Sequence, residues 1–350
     1  VGFFQMTMKN GMRCSAAAAY LKPIRSRKNL HIITHAHTDK IEFDGKRATA
    51  VMARVRGKSQ RIKVGREIIL SAGSIGSPQI LMLSGIGDQN DLGKHGIEPT
   101  HHLPGVGRNL QDHLQARPVF KCNASTINTE TKNPLQLASI ALEYAFKRSG
   151  PMAMAASLGT AFLKTHDALE TPDIQFHLQP FSADSVAEGS HKFSAFTASV
   201  LQLRPESAGH LELVSANADD YPAIHPNYLA TKTDCDTIVA GIKIARAVCQ
   251  TEPVKSLITE EYAPGAAVAD DDDAILDWAR NTATTIYHPT GTCKMGQDKM
   301  AVVDEKLRVY GVQNLRVADA SIMPVITSGN TNAPTIMIGE KLSDLILEAV

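Results

Sequence analysis

A histidine followed directly by proline lies in the segment TTIYHPTGTCKMG, residues 284–296. A neutral imidazole near pH 7 can accept a proton, so His288 suits general-base chemistry. Pro289 disfavours the helical conformation at His288 and holds its backbone extended. Gly291 and Gly296 leave room for a close neighbour. On this window alone, the more frequent outcome is a loop histidine whose ring only bonds a carbonyl group.

A second segment whose residues could take part in chemistry is RVADASIMPVITSGNTNAPTIMIGEK, residues 316–341. Its pattern predicts a strand, a loop and a helix. Asn330 and Asn332 stand just before the helix that Pro334 helps to start. Free backbone N–H groups at such a junction can hold an anionic or electron-rich ligand. The alternative is that the asparagines only cap the helix.

The other histidines and the cysteines give weaker indications of a functional site. His35 and His37 share a predicted strand face, but no third ligand is near, so we expect no metal site. The five cysteines are scattered and form no CxxC pair, which argues against a disulfide scaffold and a zinc ribbon and favours a reducing compartment. For Cys293, a buried and inert thiol is the expected state.

The first secondary-structure elements that must help to position these residues are β-strands. Asp44-Gly45 between two strand-like runs predicts a hairpin, because glycine tolerates the positive φ of a tight turn. REIILSAG (66–73) predicts a short buried strand. In the following segment, Ser77 is the expected N-cap, Pro78 the first helical residue, and Gly85 the end of the helix.

The rest of the chain mixes strands and helices. DIQFHLQP (173–180) alternates between apolar and polar residues and predicts a strand. Two segments show helical spacing of apolar residues, namely Ile238, Ile242, Ala245 and Cys249 in one and Leu342, Leu345, Ile346 and Ala349 in the other. The predicted fold class is α/β plus α+β, an α/β domain joined to an antiparallel-sheet domain.

Composition excludes several classes of protein. The 36 basic residues balance the 36 acidic ones among 350 residues, so no global field favours nucleic acid. No apolar run approaches the length that spans a membrane, and nothing at the start is typical of a signal peptide. We expect a cytoplasmic location, with peripheral attachment to a membrane as the alternative.

Several segments resemble the blocks of one enzyme family, in the family's order. SAGSIGSPQILMLSGIG (71–87) is similar to the family's second signature. Further similar blocks are LPGVGRNLQDH (103–113), YHPTGTCKMG (287–296) and LRVADASIMP…GNTNAPTIMIGEK (315–341), with weaker ones in GMRCSAAAAYL (11–21) and IHPNYL (224–229). The chain thus resembles the glucose–methanol–choline (GMC) flavoprotein oxidoreductases, most of all their choline dehydrogenase and alcohol dehydrogenase branch.

The resemblance implies a Rossmann-like FAD-binding domain of the GMC type and a substrate-binding domain built on an antiparallel sheet. We assign residues 1–119 and 286–350 to the first and residues 120–285 to the second. Family members begin with a strand, a GxGxxG turn and a helix that hold the FAD pyrophosphate. No GxGxxG occurs here, and GVGRNL supplies only its first two glycines. We therefore expect the N-terminal portion of the FAD-binding domain to be missing from this chain.

By resemblance, His288 matches the family's catalytic histidine and Asn330 the second member of the catalytic pair. The implied reaction is FAD-dependent oxidation of a primary alcohol to an aldehyde by hydride transfer to flavin N5. His288 would act as general base while Asn330 donates a hydrogen bond to the developing alkoxide.

The resemblance also implies contacts to the cofactor and the substrate. The expected FAD-contacting residues are Thr38, Tyr287, Asp319, Ala320, Thr331 and Asn332. For Asp319, a purely turn-forming role is an equal alternative. Gln202 falls near a substrate-pocket position, with an exposed polar residue on a strand as the alternative.

The expected partners are a small alcohol and an electron acceptor, either a quinone-type carrier or oxygen. Membrane association stays open.

Two other hypotheses compete with alcohol oxidation. One is a non-catalytic fragment that cannot hold FAD, and the other is a hydroxynitrile lyase, which keeps the flavin but breaks a C–C bond.

Overall fold

The computed structural model of the chain describes residues 1–184, 189–268 and 270–348. These residues form two compact units. The first unit comprises 1–30, 114–203 and 231–286, and the second comprises 31–113, 204–230 and 287–350. Ala349, expected on the last helical stripe, lies outside the described residues. The division of the chain between a cofactor domain and a substrate domain stays a prediction.

The first unit is built on an antiparallel sheet that has eight strands among the described residues. Six of them follow one another in the order Gly2–Phe3, Gly159–Leu163, Ile174–Gln179, Ala195–Gln202, Leu114–Ala116 and Thr284–Thr285. Val119–Cys122 pairs with Ala195–Gln202 and with Ile258–Ala263. A separate small hairpin joins Met8–Lys9 to Met12–Arg13. The predicted strand over 173–180 is confirmed, although its polar residues Gln175 and His177 are buried as well.

A long helix covers part of this sheet. Lys232–Cys249 packs against strand Ala195–Gln202, and the four apolar residues predicted to share its face are all buried. Cys249 closes the stripe against Phe120 and Ala198. The other helices of this unit are Ala17–Leu21 (π), Lys22–Ile24, Ile127–Glu130, Pro134–Lys147, Pro151–Ala153 (3₁₀), Lys255–Leu257 (3₁₀) and Asp272–Thr282.

The second unit combines small antiparallel sheets with a parallel strand pair. Strands Ala36–Asp44 and Arg47–Val55 form the hairpin predicted at Asp44-Gly45, where Gly45 has a φ of +55°. Lys58–Lys63 adds a third strand. Arg108–Leu110, Gly209–Glu212 and Ala223–His225 form another antiparallel sheet. Two short strands, Ile86–Gly87 and His101–His102, pair in parallel.

A second pair of parallel strands joins two distant segments of the second unit. Ile68–Leu70 runs beside Leu315–Val317, so two distant segments of the chain leave the pair at the same edge. Helix Gly73–Leu83 follows the first strand. The 3₁₀ turn Ala320–Ile322 and helix Asn332–Leu347 follow the second. Gln89–Gly93 is a further short helix. One apolar cluster, which includes Leu81, Val302, Val317 and Leu342, joins these elements.

The predicted start of helix Gly73–Leu83 is wrong. The helix begins four residues before Ser77, which places Pro78 inside it. Since proline has no N–H, the carbonyl of Ser74 lacks its usual helical partner. The hydroxyl of Thr292 donates to that carbonyl at 2.6 Å. Thr292, more than 200 positions away in the chain, therefore satisfies the carbonyl that Pro78 leaves without a helical partner. Local sequence rules do not include such a distant donor and so place the start of the helix at Pro78.

No helix in the described parts of the chain is both long enough and apolar enough to cross a membrane.

Candidate active site

The two predicted catalytic residues lie side by side in the second unit. Nδ2 of Asn330 is 3.3 Å from Nε2 of His288. Asn330 belongs to the loop between strand Leu315–Val317 and helix Asn332–Leu347 and is exposed. His288 is only 9 % exposed, so its ring is held in place while one edge meets an accessible amide.

A buried carboxylate fixes the backbone of His288. Asp112 is 8 % exposed and accepts a hydrogen bond from the His288 N–H at 2.9 Å. Its other oxygen accepts from the hydroxyl of Tyr228 at 2.5 Å. Charge-assisted bonds of this kind are short and directional. Asp112 thus joins the segments around Tyr228 and His288.

A second histidine meets the first through its ring. Nδ1 of His113, which is fully buried, lies 3.0 Å from Nδ1 of His288. The amide nitrogen of Asn330 can only donate, so Nε2 of His288 must accept. The single ring hydrogen of a neutral His288 then sits on Nδ1 and is donated to His113. This arrangement leaves the basic lone pair of His288 on the Asn330 side.

The close neighbour expected at Gly291 is the chain itself. Gly291 has a φ of +87°, and a Cβ there would overlap the carbonyl oxygen of Asn109. Gly291 therefore serves the close packing of its own chain. The residue before His288 carries backbone strain, because Tyr287 has a φ of +65°. Strain in a non-glycine residue is often retained at functional sites.

Asp319 links the two strand–loop junctions of the second unit. Its Oδ2 accepts from the N–H of Gly73 at 2.9 Å and from the hydroxyl of Ser77 at 2.6 Å. Its Oδ1 accepts from the N–H of Ser321 at 2.8 Å. This is the turn-forming role weighed for Asp319, extended to a neighbouring loop. The next residue, Ala320, accepts from the N–H of Gly291 at 3.3 Å, which connects this turn to the histidine segment.

Three further predicted cofactor residues, Tyr287, Thr331 and Asn332, are close neighbours of His288 and Asn330 in the sequence. Tyr287 is 74 % exposed, Asn332 is exposed and Thr331 is buried. Helix Asn332–Leu347 starts here, and Thr331 gives it no side-chain cap. Free N–H groups at a helix N-terminus suit an electron-rich group, and an exposed aromatic side chain suits a planar one such as a flavin ring. The residues present therefore suit FAD.

Other predicted positions lie apart from the histidine pair. Thr38 is half-buried on strand Ala36–Asp44, opposite Ala53. Gln202 belongs to the first unit, opposite Ile174, and is 8 % exposed, so the alternative of an exposed strand residue is wrong. His35 and His37 do not share a strand face, because the strand begins at Ala36 and His35 has a φ of +54°.

The expectation for Cys293 is confirmed. Its side chain is completely buried, and this burial raises the pKa of the thiol far above its ordinary value. The negative charge of Asp319 adds to the increase. Such a thiol has almost no thiolate at neutral pH and is not a nucleophile.

Three residues of the site were not identified from the sequence. These are Asp112 and His113, which contact His288 directly, and Tyr228, which donates to Asp112. Asp112 and His113 end the block LPGVGRNLQDH, and Tyr228 lies in IHPNYL. Both blocks belong to the segments that resemble the family. The residue types Asp and His at the end of the first block were the available signal.

Two family models match the chain, both described as GMC oxidoreductase. The N-terminal model matches residues 1–115 and the C-terminal model residues 205–339. The matches together span most of the chain and include His288, Asn330, Asp112, His113 and Tyr228, whereas Gln202 lies between the two matched ranges.

Curated relatives cover the whole chain. An alcohol dehydrogenase [acceptor] of Pseudomonas putida is 40% identical over 353 residues, which is 100% of this chain and 64% of that protein. The mitochondrial choline dehydrogenase of Homo sapiens is 42% identical over 347 residues, 99% of this chain and 58% of that protein. The chain spans about three fifths of the length of these relatives.

Solved structures share the fold. A formate oxidase variant of Aspergillus oryzae RIB40, studied for its effect on FAD modification, matches with a TM-score of 0.88 and 26% identity. The match covers 97% of this chain and 64% of that one. The predicted fold class, an α/β domain with an antiparallel-sheet domain, is confirmed. The motifs, the two family models and the curated relatives agree, and the chain belongs to the GMC oxidoreductase family.

Proposed function

We propose that this chain carries the site at which an FAD-dependent enzyme oxidises a primary alcohol to an aldehyde. The observation that carries the proposal is the 3.3 Å approach of Asn330 Nδ2 to Nε2 of an oriented, nearly buried His288. Two relatives, an alcohol dehydrogenase [acceptor] and a choline dehydrogenase, support an alcohol as the substrate class.

FAD, when bound, supplies at its N5 atom the acceptor for the hydride that leaves the alcohol carbon. Tyr287, Thr331 and Asn332 would hold its ring system beside the helix N-terminus. Asp319 already uses both carboxylate oxygens within the protein, so its turn would contribute backbone groups, together with Ala320. Thr38 would approach the cofactor elsewhere on the second unit.

His288 takes the hydroxyl proton of the alcohol at Nε2, where the alcohol hydroxyl replaces the Asn330 amide N–H as the partner of the ring nitrogen. An alcohol carbon loses hydride readily only as its hydroxyl loses a proton, so a base of moderate strength lowers the barrier. The ring cannot turn away, because its Nδ1–H is held by His113 and its backbone N–H by Asp112. As His288 becomes positively charged, the lone pair of His113 Nδ1 stabilises the cation.

Asn330 stabilises the oxygen that loses the proton. An amide NH₂ has two hydrogens. Before the alcohol binds, one of them faces Nε2 of His288. Because Asn330 is exposed, its amide is accessible to the oxygen of an alcohol that takes this place at Nε2. A donor placed where negative charge develops favours the transition state over the bound alcohol. The pair therefore holds the alcohol oxygen between a base and a donor.

The partners of the proposed reaction follow from this chemistry. They are the alcohol itself and an oxidant for the reduced cofactor, either a quinone-type carrier or oxygen. Gln202 is the proposed substrate residue of the first unit, where it is buried at the end of strand Ala195–Gln202.

The test is anaerobic reduction of FAD by alcohols. The purified chain is mixed with FAD, free FAD is removed, and a panel of primary alcohols that includes choline is added without oxygen. Bleaching of the bound flavin absorbance is expected with at least one alcohol. The matched controls are the variant His288→Gln, expected to bleach far more slowly, and His31→Gln, which changes an exposed histidine of the same unit and is expected to behave as wild type.

Two results would contradict the proposal. A folded chain, as judged by circular dichroism, that retains no FAD would favour a non-catalytic fragment. A chain that retains FAD without bleaching, yet releases cyanide from a hydroxynitrile, would favour the lyase alternative.

A further inference from the structure

Three side chains able to bind a metal converge on the sheet that contains Gly209–Glu212 and Ala223–His225. His210 and His225 are direct partners across these antiparallel strands. Their rings stack with centroids 4.7 Å apart and planes inclined by 22°. Glu212 is two residues from His210 and so points to the same face of the sheet. The third ligand comes from another strand, which is why no sequence motif indicated this cluster.

The ligand atoms are close to the spacing that a metal ion requires. Nε2 of His210 is 3.2 Å from Oε1 of Glu212, and Nε2 of His225 is 3.9 Å from Oε2 of the same side chain. All three ligand atoms lie within 4.8 Å of one another. Around a tetrahedral zinc ion, ligands at about 2.1 Å from the metal are about 3.4 Å apart. Small side-chain rotations would bring the cluster to that geometry.

We propose that His210, Glu212 and His225 form a binding site for a divalent transition-metal ion, with zinc the best match. Two imidazoles and one carboxylate are a donor set that zinc adopts in proteins. Magnesium and calcium prefer oxygen ligands throughout, so this set selects against them. The fourth position is left to water, because all three side chains are partly accessible.

The surrounding charges are compatible with a bound cation. Arg108 is the cross-strand partner of His210 on its other side. Its guanidinium donates to the carboxylate of Asp91 at 2.6 Å, and Lys94 is paired with the same carboxylate. The cluster shares no residue with the His288–Asn330 pair, so the proposal does not depend on the proposed reaction. A bound metal would link the two strands and stabilise the folded chain.

The test is a titration of the untagged, metal-free chain with Co²⁺, followed by competition with Zn²⁺. We expect one Co²⁺ per chain with visible absorption bands typical of four-coordinate cobalt, their loss on adding Zn²⁺, and a higher melting temperature with Zn²⁺. His225→Ala and Glu212→Gln should each lower the affinity by more than about 100-fold, since loss of an outer-shell partner alone costs about 10–100-fold.

The control variant is His31→Ala, which removes one of the other exposed histidines among the 13 in the chain. It should bind Co²⁺ as wild type does. Circular dichroism establishes that each variant is folded. Absence of one-to-one binding at millimolar Co²⁺, or unchanged affinity in both His225→Ala and Glu212→Gln, would overturn the proposal.

Discussion

The Nδ1 atoms of His113 and His288 lie 3.0 Å apart, although the two residues are 175 positions apart in the chain. Only one hydrogen can lie between them. Because Asn330 donates to the opposite nitrogen of His288, that hydrogen belongs to His288 and His113 is the acceptor. His113 is therefore a positioning residue, which fixes the tautomer of the proposed base.

Replacing His113 by Phe should slow flavin reduction without a comparable change in alcohol affinity. The lost acceptor bonds most strongly to the charged form of His288, and such a bond contributes ~1.5–3 kcal/mol. We expect the bleaching rate to fall by about 10–100-fold. The acid limb of the pH–rate profile should move to lower pH, because the protonated base loses its stabilising partner. Stopped-flow bleaching measures both effects.

The conservative variant His113→Asn keeps an acceptor oxygen and should recover part of the rate. Wild-type rate and pH profile in His113→Phe would refute the positioning role.

Thr292 and Pro78 should be coupled in stability. Thr292→Val removes the donor to the buried Ser74 carbonyl and should cost about 1–3 kcal/mol of unfolding free energy. In the Pro78→Ala background the new N–H can bond the same carbonyl, so the cost should be at least about 0.5 kcal/mol smaller. Urea denaturation of the four proteins in this cycle gives the coupling, and strictly additive losses would exclude it.

Asp319→Ala should destabilise the second unit strongly. It removes the acceptor of three hydrogen bonds, from Gly73, Ser77 and Ser321, and leaves their donors without it. We expect a loss of at least about 3 kcal/mol. Asp298→Ala is the control, because this exposed carboxylate also accepts a backbone N–H, from Met300. Equal losses of stability in the two variants would show that the linking role of Asp319 is absent.

Stability should decrease at alkaline pH in part through Cys249. Burial, aided by the charge of Glu261, raises the pKa of this thiol from 9.0 to about 12. The contribution of this thiol to the free energy of unfolding is complete below pH 9, where the thiol of the unfolded chain is also protonated. It is lost as pH rises from 9 towards 12. The slope is at most about 1.4 kcal/mol per pH unit. Denaturation of wild type and Cys249→Ala across this range should show a shallower decline in the variant, and parallel curves would contradict the assignment.

Local signals in the sequence were sufficient where the structure is local. The hairpin at Asp44-Gly45 depends on one turn, and the helix Lys232–Cys249 on its own apolar stripe. The start of helix Gly73–Leu83 could not be predicted in this way, because Thr292 compensates for Pro78. Burial of Gln202 was equally hidden, since it depends on the neighbouring strands of the sheet.

In the candidate site too, some residues could be predicted from local segments, while others depend on contacts between distant segments. His288 and Asn330 were found from the resemblance of their segments to family blocks, and the structure brings them together. The partners that orient His288 were missed, because Asp112, His113 and Tyr228 act through contacts between segments far apart in the chain. The metal-binding cluster was missed for a related reason, since strand pairing alone brings His225 to His210.

The central claim is that Nε2 of His288 accepts the proton of the alcohol. The most direct test is the pH dependence of anaerobic flavin bleaching by a reactive alcohol in wild type and His288→Gln, with flavin content matched between samples. The wild-type rate should rise with pH to a plateau as the imidazole becomes neutral. The variant should be slower by about 10²–10⁴-fold and should lack that plateau. Bleaching of His288→Gln at the wild-type rate and with the wild-type pH profile would contradict the claim.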